Sequence, residues 1–441
     1  MEDYERNAMD SLAEGFETSA QNKANLIYIK AVGVGGGGSN AVNYMYKQGI
    51  KNVAFAVVNT DWQALETSPV PTKVLIGNGL GAGNKPEIAR DAAEEDIAKI
   101  EALFEDNTHM VFITATLGGG TGTGAGPVVA RIAKEKGLLT IGIITIPFYF
   151  EGDRKILKAI EGRAEMAKHV DALLVINNDR LIEIYGDLDF FNALYKSDET
   201  LATAARSISE IITSEGHMNL DFRDVETTLR DGGAAIISTG YGEGEKRVTK
   251  AIENALDSPL LKNRNIFSSK KLLFNLYFSE QAEKKFLMGE MQEFTTFVKT
   301  IDKRVDVIWG ASVDNTLGDS IKVTLLASGF EEDEDGLAPA PYASDPVSHD
   351  KARTVDQTDS QNILRKEYGS KVDYYSTNYI ILKPLQFDDD SVIEVLENSP
   401  AYNREKKVVE SVRGVSSSAV SPAQPSVSDS RNPSGGMNIV F

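Results

Sequence analysis

Cysteine is absent from the 441 residues. That excludes disulfides, thiol nucleophiles and thiolate metal sites, and it suits a reducing compartment. Histidine is nearly as scarce: His109, His169, His217 and His349 are too scattered to compose a zinc site, and each reads as a structural or solvated side chain. No run is apolar enough to cross a bilayer, so direct membrane insertion is not expected. The opening MEDYERNAMD lacks the basic start and apolar stretch of a secretory signal, which points to a cytoplasmic rather than an exported protein. Positive charge is in deficit too, with 46 Lys and Arg against 65 Asp and Glu, a formal charge of -19. Nucleic acid is therefore a disfavoured partner.

What the chain does have is glycine in runs. Gly118 to Gly124 reads GGGTGTG, after the apolar MVFITAT and before AGPVVARIAKEKG. An almost wholly apolar run fits a parallel strand buried on both faces. Val128, Val129, Ile132 and Ala133 then recur at helical spacing, with Gly137 as a stop. Strand, glycine loop and helix together form an anion-binding device, because residues without Cβ let backbone N–H groups approach a phosphate at a helix N-terminus. Thr121 and Thr123 add hydroxyl donors. A plain tight turn is the alternative, and five glycines with two threonines in seven residues weigh against it.

A second run, Gly35 to Gly38, follows the strand-like LIYIKAV and precedes a helix whose first turn holds Ser39, read as its N-cap, with Gly49 as the stop. VAFAVVNTD is the next strand, ending at Asn59, Thr60 and Asp61. A glycine turn followed by a carboxylate at a strand end also opens a dinucleotide-binding fold, so a nicotinamide-dependent oxidoreductase is a rival. Gly77 to Gly83 leads to Pro86 and a helix expected to run through Phe104. LLTIGIITIPF and VDALLVINND supply further strands. The alternation predicts a doubly wound parallel-sheet α/β domain over residues 26–197, behind a flexible arm at 1–25.

A long central helix is expected over 198–218, with Leu201, Ala204, Ala205, Ile208, Ile211 and Ile212 on one side. After it, Asp221 and Asp224 stand at i and i+3, a spacing that most simply caps a helix. GAAIISTG, KKLLFNLYF, VDVIWGA and SIKVTLLASGF predict a smaller mixed-sheet α+β second domain over 219–330. From Glu331 composition turns polar, and a disordered linker (331–390) and tail (409–441) are expected. Two apolar islands interrupt it: VDYYSTNYIILKPLQF, which could form a transient strand, and the helical spacing of Val392, Ile393, Val395 and Leu396 within a docking segment at 391–408.

From about Leu26 to Phe330 the chain resembles the FtsZ family of bacterial cell-division GTPases, relatives of tubulin. GVGGGGSNAV, NTDWQAL, GLGAG, GGGTGTG, PFYFEG, NNDRL, NLDFRDV, SPLL and LGDSIKVTLLASGF occur in the family's order. The resemblance implies a cytoskeletal GTPase that polymerises head to tail at the division site and binds GTP or GDP, with Mg²⁺ accompanying the nucleotide. It places phosphate contacts on Gly36, Gly37, Gly38, Ser39, Asn40, Gly120, Thr121, Gly122, Thr123 and Gly124. Glu151 takes the ribose position, with Lys155 following. Asn178 and Asp198 take the positions that read guanine, and an Asp carboxylate can accept two N–H bonds that adenine does not offer. Asn219, Asp221 and Asp224 fall in the catalytic loop that enters the next subunit's site, which makes capping the lesser reading of the aspartates. A filament or nucleotide sensor without efficient hydrolysis is the alternative, disfavoured by the presence of both aspartates.

The resemblance also has departures. Lys155, beside Arg154, stands where the family has arginine, and Leu194, beside Tyr195, where an aromatic packs on guanine. Thr116 and Leu117 replace Gly-Met, and Ser268 and Ser269 replace Gly-Ala. Pro400, Ala401, Tyr402, Asn403 and Arg404 resemble the short C-terminal peptide that binds membrane tethers and regulators.

Overall fold

The computed structural model describes residues 29–185, 189–214, 216–257, 266–330, 357–369, 372 and 390–397. Contacts divide the chain into residues 1–366 and 367–441. Among the described residues of the first unit eleven strands share one hydrogen-bonded order, β3-β2-β1-β4-β5-β6-β8-β11-β9-β10-β7. They are β1 (Ile29–Val34), β2 (Val53–Asn59), β3 (Thr72–Leu75), β4 (Met110–Thr116), β5 (Leu139–Ile146), β6 (Ala172–Asn177), β7 (Gly216–Met218), β8 (Gly233–Gly242), β9 (Lys271–Phe278), β10 (Asp306–Val313) and β11 (Ile321–Ser328).

The first six strands pair in parallel in the order 3-2-1-4-5-6. This is the doubly wound arrangement expected from runs such as LTIGIITI, buried along all eight residues of β5. Strand order reverses between β1 and β4, and ligands gather at the carboxyl ends of strands at such a switch point. Both glycine runs lie there. The remaining strands form the expected mixed sheet, in which β8, β11 and β9 are antiparallel neighbours and β9 and β10 parallel. Three parallel pairs, Ala172↔Gly233 to Leu174↔Ala235, join the two halves through β6 and β8.

Helices α1 (Gly35–Lys47), α2 (Trp62–Glu66), α3 (Pro86–Glu95), α4 (Ile97–Glu101), α5 (Thr121–Glu135), α6 (Asp153–His169), α7 (Asn178–Tyr185) and α8 (Phe190–Thr213) cover the parallel sheet. Separate apolar cores fill its two faces, one around Met45, Phe112 and Ile208, the other around Ile113, Leu117 and Val129. Each fully buried side chain of this size is worth about 1.5–3 kcal/mol. The second sheet carries α9 (Phe222–Leu229), α10 (Arg247–Leu256) and α11 (Met291–Val298). Its own core centres on Phe274, Phe294 and Val323.

Four expected boundaries move. The central helix α8 starts at Phe190, not Asp198, because Asp189 rather than Asp198 caps it, accepting from the Asn192 N–H at 3.1 Å. It stops at Thr213, and Gly216–Met218 leaves the helix to pair with β10. The helix opening at Pro86 does so as expected, yet it breaks at Asp96. That carboxylate accepts the Gly77 N–H at 2.8 Å and pairs with Lys99, so it anchors the third glycine loop instead of continuing the helix. Finally, α12 (Gln357–Tyr368) lies in the stretch expected to be a disordered linker, with Leu364 and Tyr368 buried one helical turn apart. The helical spacing near Val392 is realised as α13 (Asp390–Glu397). VDYYSTNYIILKPLQF, apart from its first residue, and the arm 1–25 lie outside the described residues.

Candidate nucleotide site

The two glycine runs end β1 and β4 and begin α1 and α5. Gly35 and Gly118 turn the chain there with φ of +74° and +95°, a region closed to most side chains. The expectation that Ser39 caps α1 fails. The N-cap is Val34, which offers no side-chain hydrogen bond, and Ser39 lies inside the helix. α5 is likewise uncapped by a side chain at Gly120, and neither helix has an acidic residue in its first turn. Two helix N-termini thus meet with their first N–H groups unclaimed by side chains, which is the physical requirement for holding an anion.

The loops touch. A Cβ on Gly35 would lie 2.7 Å from Gly122 N, and one on Gly38 would lie 2.2 Å from Thr114 O. At Gly36 and Gly119, by contrast, a Cβ would meet nothing within 4 Å. These two residues face open space, where a phosphate can approach. Ser39 is buried and its Oγ has no hydrogen-bond partner, so the cradle contains an orphaned polar atom that a phosphate oxygen would satisfy. Asn40 is exposed beside it. The Thr121 hydroxyl lies 2.7 Å from that of Thr60, tying the end of β2 to the second loop.

Thr123 and Gly124 have another role. The Thr123 Oγ1 accepts the Gly118 N–H at 2.9 Å, stapling the loop, while a Cβ on Gly124 would sit 1.9 Å from Pro86 O. Both line a cavity of about 370 Å³ between α3, α5 and α6, behind the loop. Their residue types are therefore accounted for by packing. Gly119, which the family correspondence omitted, is the residue of GGGTGTG with room before it.

Glu151 and Lys155 are paired with one another, and Glu151 Oε1 also accepts the Phe148 N–H at 2.8 Å. Lys155 packs against Gly118 through its backbone oxygen and Cγ, which puts the ribose position beside the phosphate loop. Asn178, at the end of β6, accepts from Ser197 Oγ at 2.7 Å. Ser197 precedes Asp198 on α8, so the two residues assigned to guanine are brought together through their neighbour. Burial pushes the Asp198 carboxyl up from 3.8 to about 7. Leu194 lies one turn earlier on α8 and is 39% exposed.

The departures at positions 116 and 117 are absorbed by packing. Thr116 Oγ1 accepts from Thr145 Oγ1 at 3.0 Å and occupies the space a Gly37 side chain would need. Leu117 is fully buried, and the Ser269 Oγ donates to Ile266 O at 2.6 Å. Asp61 serves α2 as N-cap, accepting from Gln63 N at 2.9 Å. The ribose-binding carboxylate required by the oxidoreductase reading is thereby committed elsewhere.

Asp221 and Asp224 form a reciprocal capping box on α9. Asp221 Oδ1 accepts from Arg223 N at 2.8 Å and Asp224 N at 3.1 Å, and Asp224 Oδ2 accepts from Asp221 N at 2.9 Å. The capping that the bare spacing suggested is formed, and it leaves one oxygen of each carboxylate outside the box. Exposed Asn219 precedes it. Phe222 packs edge-on against His109 at 6.0 Å between centroids. His109 enters β4 at the end opposite Gly118. Pro400, Ala401, Tyr402 and Arg404 lie outside the described residues.

Two family descriptions match the chain: Tubulin/FtsZ family, GTPase domain, over residues 28–186, and FtsZ family, C-terminal domain, over residues 233–331. Cell division protein FtsZ of Porphyromonas gingivalis is 48% identical over 394 residues, covering 86% of this chain and 85% of the relative. The Aquifex aeolicus protein of the same name is 42% identical over 311 residues, 69% of this chain and 84% of that one. Among solved structures, the empty FtsZ dimer of M. jannaschii superposes with a TM-score of 0.63 at 36% identity, over 72% of this chain and 92% of that one.

Proposed function

The chain belongs to the Tubulin/FtsZ family and is a GTPase of the cell-division cytoskeleton, and on that footing we propose that each hydrolytic site is assembled from two copies of it stacked head to tail. One copy holds GTP on the loops at Gly36–Asn40 and Gly119–Gly122, with Glu151 at the ribose and Asn178 and Asp198 at guanine. The next copy inserts Asn219, Asp221 and Asp224.

Separation along β4 carries this reading. Phe222, adjoining Asp221, packs on His109 at one end of the strand, and the phosphate loop leaves the other end. Seven residues of strand span roughly 20 Å. A second ruler agrees, since α8 runs from Asp198 to Thr213 over about 22 Å before the chain turns to Asn219. Within one chain the aspartates are out of reach of the γ-phosphate. An identical neighbour placed above brings them to it.

The unboxed oxygens of Asp221 and Asp224 would orient a water and draw on its proton as its oxygen bonds to the γ-phosphorus. The bond from that phosphorus to the β–γ bridging oxygen breaks, releasing GDP and phosphate. Mg²⁺, when bound, supplies charge neutralisation on the phosphate oxygens. The incoming carboxylates of Asp221 and Asp224 are the hard oxygen donors of this chain that would hold the ion. The segment 391–408 would dock such filaments to membrane tethers and regulators at the division site. Its deletion should abolish recruitment while leaving assembly intact.

Light scattering and phosphate release, followed against protein concentration with GTP, test the central reading. Turnover per chain should rise with assembly, and Asp224→Ala should lose turnover while keeping bound nucleotide. Hydrolysis independent of concentration, or indifferent to Asp224, refutes it.

A further inference from the structure

Asp171 is a carboxylate that neither the nucleotide site nor the catalytic loop employs, yet it is 1% exposed at the start of β6. Its Oδ2 accepts the Thr140 N–H at 2.8 Å, and its backbone pairs with Thr140 O at 2.7 Å and Gly233 N at 3.0 Å. Its Oδ1 makes no hydrogen bond. Two cations compensate the charge, Lys134 Nζ at 3.4 Å from Oδ1 and Arg230 NH1 at 3.5 Å from Oδ2.

The origins of these cations give the cluster its meaning. Lys134 lies in the last turn of α5, the helix that begins at the phosphate loop, where its ammonium also donates to Val170 O at 2.9 Å. Arg230 is the C-cap of α9, the helix that begins at Asp221. Arg230 also donates to Glu226 at 2.6 Å and holds that carboxyl below its usual range. Glu226 in turn pairs with Arg223, whose N–H Asp221 accepts. A buried carboxylate is costly to leave uncompensated, by several kcal/mol for an unpaired ion, so both helix ends are held where their cations reach it.

We infer that Asp171 is a positioning residue for GTP hydrolysis: it ties the helix carrying Asp221 and Asp224 to the nucleotide-binding half of its own subunit, and so fixes the carboxylates presented to the neighbour's GTP. The inference rests on the two-copy site proposed above. A displacement of about 1 Å at reacting groups can cost a hundredfold in rate.

The test compares Asp171→Asn, Arg230→Lys, Arg230→Gln and Asp224→Asn in the full chain. Asp171→Asn keeps the acceptor for Thr140 and removes the charge. Its kcat per assembled subunit should fall roughly ten- to hundredfold, with the GTP dissociation constant of the unassembled chain within about twofold of native. Arg230→Lys, retaining the cation, should recover part of the turnover that Arg230→Gln loses. If Asp171→Asn fails to fold, that pair carries the test alone. Loss of nucleotide affinity in parallel with kcat, or equal turnover in the two Arg230 variants, overturns the inference. Turnover lost in Asp224→Asn but native in Asp171→Asn overturns it while sparing the two-copy site. Native turnover in Asp224→Asn overturns both.

Discussion

Gly36→Ala and Gly119→Ala separate the fold of the phosphate cradle from its chemistry. A Cβ at either position meets no atom within 4 Å, and neither residue has positive φ. Alanine should therefore stabilise the nucleotide-free chain, by about 0.4–1 kcal/mol, through the freedom that glycine contributes to the unfolded chain. The same methyl stands where a phosphate would approach. Losing one charge-assisted N–H bond, about 1.5–3 kcal/mol, should weaken nucleotide binding by roughly ten- to over a hundredfold. Gly38→Ala and Gly124→Ala are the controls. Their Cβ atoms would fall 2.2 Å from Thr114 O and 1.9 Å from Pro86 O, backbone atoms that cannot step aside cheaply. Those variants should lose about 1–3 kcal/mol or more of stability. Thermal unfolding without nucleotide, followed by equilibrium titration with GDP, measures both effects. The reasoning is refuted if the Gly36 and Gly119 variants bind nucleotide normally, or if they unfold as readily as the controls.

With Asp198 at guanine as proposed, nucleotide affinity should depend on pH. Its carboxyl is raised to about 7 by burial in the free chain, whereas accepting two guanine N–H bonds favours the ionised form. Binding below pH 7 must therefore release a proton, and affinity should fall up to about tenfold per pH unit as pH drops from 7, a dependence that Asp198→Asn abolishes in titrations between pH 5.5 and 8. Stability without nucleotide runs the opposite way: because the folded value lies above the unfolded one, this residue's contribution is fully present below about pH 4 and is lost as pH rises to 7. Leu194→Phe should tighten GTP binding by about three- to tenfold, since an aromatic ring one turn before Asp198 offers a stacking surface; unchanged affinity by titration would mean the site already compensates. Asp221→Ala should destabilise the chain by about 1 kcal/mol through loss of the α9 cap, visible by calorimetry without GTP, and should in addition lose turnover.

Sequence reading succeeded where one local signal decides the outcome. The strand at Met110–Thr116, the glycine turn and the helix ending before Gly137 need no distant partner to be recognised, because burial on both faces and positive φ leave their mark in composition. It failed where two signals compete. Asp198 imitates a helix start, and only the bond from Asn192 N to Asp189 identifies the true cap. Asp96 breaks a well-patterned helix because a loop nineteen residues earlier uses its carboxylate. The tail helix at Gln357–Tyr368 was hidden by its polar composition, its buried positions among the described side chains being Leu364 and Tyr368. Sequence order also conceals that His109 and Gly118, nine positions apart, stand at opposite ends of one strand. In the proposed site that separation, rather than any motif, would put the aspartates beyond reach of their own nucleotide.

On the proposed two-copy site, a strand with the cradle at one end and the trigger's anchor at the other would make each chain half of two different enzymes. Chains defective in opposite halves can therefore complement each other. In a randomly mixed polymer of equal parts Gly119→Ala and Asp224→Ala, about a quarter of junctions would pair a sound cradle with a sound trigger, although neither protein alone has any. Activity would then be a property of adjacency, inherited by the junction and not by the molecule.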